Sequence, residues 1–184
     1  MKAMILTLAL AALVQAQEIP PLAPLRGDAA TLKDTMKFLQ DKLPGKVNYI
    51  VYEHDNVAGT DSATKRSFAL EVVSADPNRC FVGLHYRFDN GKTVIEPPKG
   101  VGIFLKQVQE VALKQLDQVV QEAEAKEGHP ELSVKIDPPI SLVTIKTPTA
   151  SLMFNFYDQT LSERVSKALQ HAVELCGGGN QEPF

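Results

Sequence analysis

Apolar positions along this chain change period several times, and each change predicts an element. Residues 3–14 form an almost unbroken apolar run behind one charge, Lys2. Residues 18–30 hold three prolines and a glycine, which predicts an extended, poorly ordered lead-in. Leu32, Met36, Leu39 and Leu43 then recur at helical spacing, with Phe38 beside the stripe. Thr31, with Asp34 three residues on, marks the start of that short amphipathic helix, and Pro44-Gly45 marks its stop.

The period then drops toward two. Residues 47–55 carry the apolar and aromatic side chains of a strand, and residues 56–65 read as a polar loop. Phe68, Leu70 and Val72 alternate in a second strand over 66–76, and Pro77-Asn78 turns the chain. Residues 79–89 give the clearest strand. Cys80, Val82, Leu84, Tyr86 and Phe88 fall on one face, and Phe81, Gly83, His85 and Arg87 on the other. Asn90-Gly91 signals a hairpin whose return strand runs over 92–95, ended by Pro97-Pro98.

Residues 101–128 support two readings. Phe104, Val108, Val111, Val119 and Ala123 fit a helical stripe, and the Gln, Glu, Lys and Ala content favours helix. Two strands, over 110–117 and 118–126, fit as well. Beyond them, 132–136 and 140–147 read as strands flanking Asp137-Pro138-Pro139, and 150–158 as another. Asp158 or Thr160 caps a last helix, with Glu163 placed to complete a capping box on Thr160. Leu161, Val165, Ala168, Ala172 and Leu175 line its buried face, flanked by Leu169 and Cys176, and Gly177 to Gly179 end it. The expected organisation is a signal peptide over 1–16, a linker over 17–30, one α+β domain over 31–178 and a disordered tail over 179–184.

The first apolar run sets the compartment. Lys2, the run to Val14 and the small residues before Gln17 match a secretory signal cleaved after Ala16. The run is shorter than the roughly 20 residues a bilayer span needs. The expectation is a secreted or periplasmic protein with no transmembrane segment in its mature chain. Charge adds a second exclusion. The chain has 19 Lys and Arg against 22 Asp and Glu, a net charge of -3, and losing Lys2 makes it one unit more acidic. That balance argues against nucleic acid and against an anionic membrane surface.

Two cysteines remain, Cys80 and Cys176. His171 lies five residues before Cys176, so on a helix the two sit about 140° apart and do not form a local nucleophile–base pair. No C-x-x-C spacing supports a metal site. Cys80 is in phase with the apolar face of its strand, and Cys176 is on the apolar flank of the last helix. An exported protein joins such a pair, so a Cys80–Cys176 structural disulfide is expected. A loop of about a hundred residues closed in this way stabilises by roughly 4 kcal/mol.

Other constellations carry less. Glu53, His54, Asp55 and Asn56 with Asp61 lack the spacing of a calcium loop and read as a solvated strand end. Gly100 to Leu105 lacks the third glycine of a dinucleotide fingerprint. There is no phosphate loop, no H-E-x-x-H and no G-x-S-x-G. Asp117, Glu122, Glu124 and Glu127 read as a solvated face, and His85 as a lone structural histidine. No catalytic residue, metal ligand or cofactor is expected.

The order of these elements resembles the pleckstrin-homology-like fold, in which a C-terminal helix plugs a bent antiparallel sheet or partly open barrel. Residues 47–55, 66–76, 79–93, 150–158 and 161–176 carry the resemblance. The whole chain is also similar to small uncharacterised exported bacterial proteins, on the segments "TLKDTMKFLQDKL" and "ERVSKALQHAVELCG". The resemblance implies that 101–128 are largely strand. It also implies a basic first hairpin that grips lipid headgroups. Here residues 54–66 hold only Lys65 and Arg66, opposed by Asp55 and Asp61, a departure from that pattern. The expected function is a non-enzymatic binding or interaction module for an unknown protein. The alternatives are a periplasmic carrier of a small apolar ligand and a hydrolase.

Overall fold

The computed structural model describes residues 30–179. The expected signal peptide, nearly all of the expected linker and the expected tail after Gly179 lie outside the described residues. Helix α1, Leu32–Lys42, starts where the stripe predicts. Thr31 Oγ1 accepts from the Asp34 N–H at 3.2 Å, and the Asp34 carboxylate accepts from the Thr31 N–H at 3.3 Å. This reciprocal cap satisfies two helix-end donors. Met36 and Leu39 are buried on the face the spacing defines.

Strands β1, Gly45–Asp55, β2, Thr60–Asp76, and β3, Phe81–Asp89, form an antiparallel meander. β4, Val94–Ile95, and β5, Val101–Phe104, both pair with β3, and β7, Leu132–Asp137, pairs with β1 on the other flank. The expected polar loop at 56–65 shrinks to a turn over 56–59. Asp61 to Lys65 pair with His54 to Ile50, so β2 extends through polar residues. The turn is held by Asp55 Oδ1, which accepts from the N–H groups of Val57 and Ala58 at 2.8 Å each. Local composition hides this extension because the strand end protrudes past the core, and a polar residue is tolerated on either face there.

A second sheet runs β6-β8-β9, from β6, Glu110–Gln115, β8, Ser141–Lys146, and β9, Ser151–Phe156. The two strands flanking Asp137-Pro138-Pro139 therefore belong to different sheets. Residues 101–128 divide between both readings. A 3-10 turn, Leu105–Gln107, separates β5 from β6, and helix α2, Leu116–Lys126, follows. The expectation that this region is largely strand is corrected over 116–126. Leu116 and Val119 are buried on one side of α2, which packs on β6 and β7, so a helical stripe is what this position selects.

Helix α3, Gln159–Leu175, packs on the second sheet and on α1. Asp158 caps it by accepting from the Leu161 N–H at 3.1 Å, and Thr160 does not serve. Val165, Leu169 and Ala172 are buried as expected, whereas Leu175 is exposed. One core joins α1, α3 and the facing sides of the strands. Filling it with groups such as Leu39, Leu142, Phe154 and Leu169 contributes about 1.5–3 kcal/mol for each large side chain.

Cys80 lies in the β2–β3 turn at φ 48°, one residue ahead of β3, and not within the strand as its phase implies. Its sulfur still meets Cys176, the C-cap of α3, at disulfide distance, 2.09 Å, with Cα atoms 5.8 Å apart. The corner is packed closely. The Leu105 N–H donates to the Cys80 carbonyl at 2.8 Å, and the Gly179 N–H donates to the Val108 carbonyl at 2.7 Å. A Cβ on the buried Gly178 would overlap the Leu105 carbonyl oxygen. The fold is α+β with open antiparallel sheets, and neither ladder closes on itself among the described residues. Among them, too, no helix is long and apolar enough to cross a membrane.

Candidate functional site

Strand alternation sorts the first sheet into two faces. Val47, Tyr49, Val51 and Glu53 on β1 point inward with Phe68, Arg66 and Thr64 of β2. Asn48, Ile50 and Tyr52 on β1 and Lys65 and Ser67 on β2 point outward. The outer face carries a trough of about 560 Å³, open to solvent. Asn48, Ile50, Asp137 and Pro138 line one side of it, and Lys65, Ser67, Asp89 and Gly91 line the other.

The walls are fixed by local chemistry. Asn90 Oδ1 accepts from the N–H groups of Lys92 and Thr93 at 2.9 and 2.7 Å, and Asp89 Oδ1 accepts from the Gly91 N–H at 2.8 Å. Gly91 has φ 84°, and a Cβ there would stand 2.8 Å from the Lys65 carbonyl oxygen. Glycine thus lets the β3–β4 turn lie against β2. On the opposite wall β7 stops pairing at Ile50↔Asp137, because the next ladder position, opposite Asn48, falls to Pro139, which has no N–H to give. Past that point the Tyr157 hydroxyl serves Asn48 of β1. It donates to the Asn48 carbonyl at 2.6 Å and accepts the Asn48 N–H. Tyr157 follows β9 directly, so this contact also ties the second sheet to the first.

A different polar cluster lies on the inner face beneath α2. Glu124 of α2 is only 9% exposed, a correction to its expected place on a solvated face. Burial, then the neighbouring charges of Glu53 and Glu127, push its carboxyl above the usual glutamate range, while His129 and Arg66 act the other way. Arg66 approaches Glu53 at 4.0 Å, and its buried Nε has no partner among the described residues. Burial also raises Tyr49, opposed by the Arg66 charge. The α2 side chain Gln121 anchors the helix to β7, donating to the Leu132 carbonyl and accepting from the Val134 N–H.

The histidines sit at separate elements. His54 pairs with Asp61 at 2.8 Å, His85 faces Glu96 at 3.8 Å, and His129 lies 3.4 Å from Glu131. His171 Nε2 meets the Ala30 carbonyl at 3.0 Å. His54 and His129 both act on the Asp55 carboxylate. The Ala58 and Val57 N–H groups already hold that carboxylate below its usual pKa, with the two imidazoles adding less. This end of β1 is therefore committed to shaping its own turn. Among the described residues no group of three or more His, Cys, Asp or Glu is placed to hold a metal ion.

Sequence reasoning did not single out Tyr157, Asn48 or the trough. Alternation along β9, with Phe154 and Phe156 inward, carries the signal for an outward Tyr157, but its partner lies 109 residues away. Compared with known proteins, the chain matches no family model, no curated protein and no solved structure.

Proposed function

We propose that this chain is an exported, non-enzymatic binding module of the bacterial cell envelope, with a pleckstrin-homology-like arrangement of sheet and C-terminal helix. The observation that carries the reading is the open trough on the outer face of the first sheet, bounded by a strand edge that one tyrosine hydroxyl serves. Its rim mixes Lys65, Asp89 and Asp137 with the aliphatic surfaces of Ile50 and Pro138. Such a surface suits a protein segment. A carrier of a small apolar ligand would enclose 70–90% of that ligand, and this trough is open. The open antiparallel sheets and α3 agree with the pleckstrin-like reading, and α2 departs from it.

The test is affinity capture after reversible crosslinking in envelopes of the source organism. The bait is the wild-type chain or a Ser67→Trp variant that fills the trough. A protein enriched by the wild type and lost with the variant supports the reading. Equal capture by both baits, or none by either, contradicts it.

A further inference from the structure

β2 pairs with β1 along its whole length, from Gly45↔Leu70 to Asp55↔Thr60. β7 pairs only with Ile50 to Asp55. From Gly45 to Tyr49, then, one flank of β1 has no strand partner among the described residues. In an antiparallel ladder the N–H and C=O of one residue point to the same side, and residues two apart share that side. Asn48 directs both groups to this flank, because both bond the Tyr157 hydroxyl. By the same alternation Lys46 directs its pair to the same flank. Gly45, Lys46 and Asn48 are all exposed.

We infer that this flank of β1, from Lys46 to Asn48, is a strand-addition site for an extended segment of a partner protein, with the Tyr157 hydroxyl as its placeholder in the free chain. The inference rests on the binding-module reading and gives that reading a ligand class.

Three observations support it. First, a hydroxyl that gives one hydrogen bond and takes one does what a paired peptide residue does, so an incoming strand replaces it like for like. Second, Tyr157 is 47% exposed and lies one residue beyond β9, so it can swing away without unpacking the core. Third, the trough begins beside this edge, at Asn48, Ile50, Asp137 and Pro138, where the outward side chains of an added strand would lie. The chemistry sets a rule for the guest. It must be extended, and it carries no proline at the two positions facing Lys46 and Asn48, because each must supply an N–H.

The test is an NMR titration of the ¹⁵N-labelled secreted chain, wild type and Tyr157→Phe. The probes are acetyl-Thr-Val-Thr-Val-Thr-amide and the same peptide N-methylated at alternate residues. The expected result is saturable shifts of the Lys46 and Asn48 amides with the unmethylated peptide alone. Tyr157→Phe removes the competing hydroxyl and should bind about tenfold tighter, the equivalent of one net hydrogen bond. Equal binding of the methylated peptide overturns the inference, as does absence of shifts at those amides in both proteins. Concentration-dependent shifts without peptide would assign the edge to a second copy and overturn it too. Groove-dependent capture without these shifts leaves the binding module standing and removes only the edge assignment.

Discussion

Cys80, in the β2–β3 turn, and Cys176, at the C-cap of α3, bring their Cα atoms to 5.8 Å across 96 residues of chain. The link fastens the far corner of the first sheet to the helix that covers the second. Reducing it frees the unfolded chain, so the reduced protein should lose about 4 kcal/mol of stability. Urea unfolding with and without reductant measures the difference. Alkylation under native, non-reducing conditions should label neither sulfur.

The same corner depends on Gly178. Its missing Cβ leaves room for the Leu105 carbonyl. Gly178→Ala should cost about 1–3 kcal/mol through overpacking, read as a lower Tm. Gly177→Ala, where a Cβ meets nothing within 4 Å, separates crowding from backbone strain, since Gly177 has φ 72°. Its loss should stay near the roughly 1–2 kcal/mol that a left-handed backbone costs.

Glu124 makes stability depend on pH. Its carboxyl sits above the usual range because burial and the charges of Glu53 and Glu127 disfavour ionisation. The protonated form therefore fits the fold better. This contribution is complete below the unfolded value, near pH 4.3, and is lost as pH rises through the folded value. Glu124→Gln imitates the protonated form. The variant should be more stable than the wild type at pH 7, and the two should converge on acidification toward pH 4. Urea midpoints across that range decide. A constant difference between the two proteins would remove Glu124 as the cause.

Tyr157→Phe removes the hydroxyl shared with Asn48. The site is exposed, so water replaces part of what is lost, and the expected cost is about 1 kcal/mol. Amide exchange at Asn48 should rise while exchange within β2 stays unchanged.

The sequence made some elements legible and hid others for physical reasons. α1 was readable because its stripe and its Thr31–Asp34 cap agree. β3 was readable because Val82 and Leu84 alternate with outward residues up to the Asn90-Gly91 turn. The first half of β2 was not, since its strand character comes from pairing with β1 and not from its own composition. Residues 101–128 combined two strands, a 3-10 turn and a helix under one apparent stripe, and pairing of β5 with β3 and of β6 with β8, with packing of α2 on β6 and β7, divides them. The site was least legible. Its strand edge exists because β7 stops at Asp137, ahead of Pro138-Pro139, and Tyr157 arrives from the other sheet, and neither event shows in the sequence which strand is left open.

Site-specific photo-crosslinking in the source organism tests the trough as a protein-binding surface, with the photoreactive residue at Ser67 in the trough or at Met153 on the second sheet. A trough that binds a protein segment gives one discrete protein adduct from position 67, abolished by competing strand peptide, and none from position 153. An adduct from position 153 alone, or the same adduct from both positions, would contradict it.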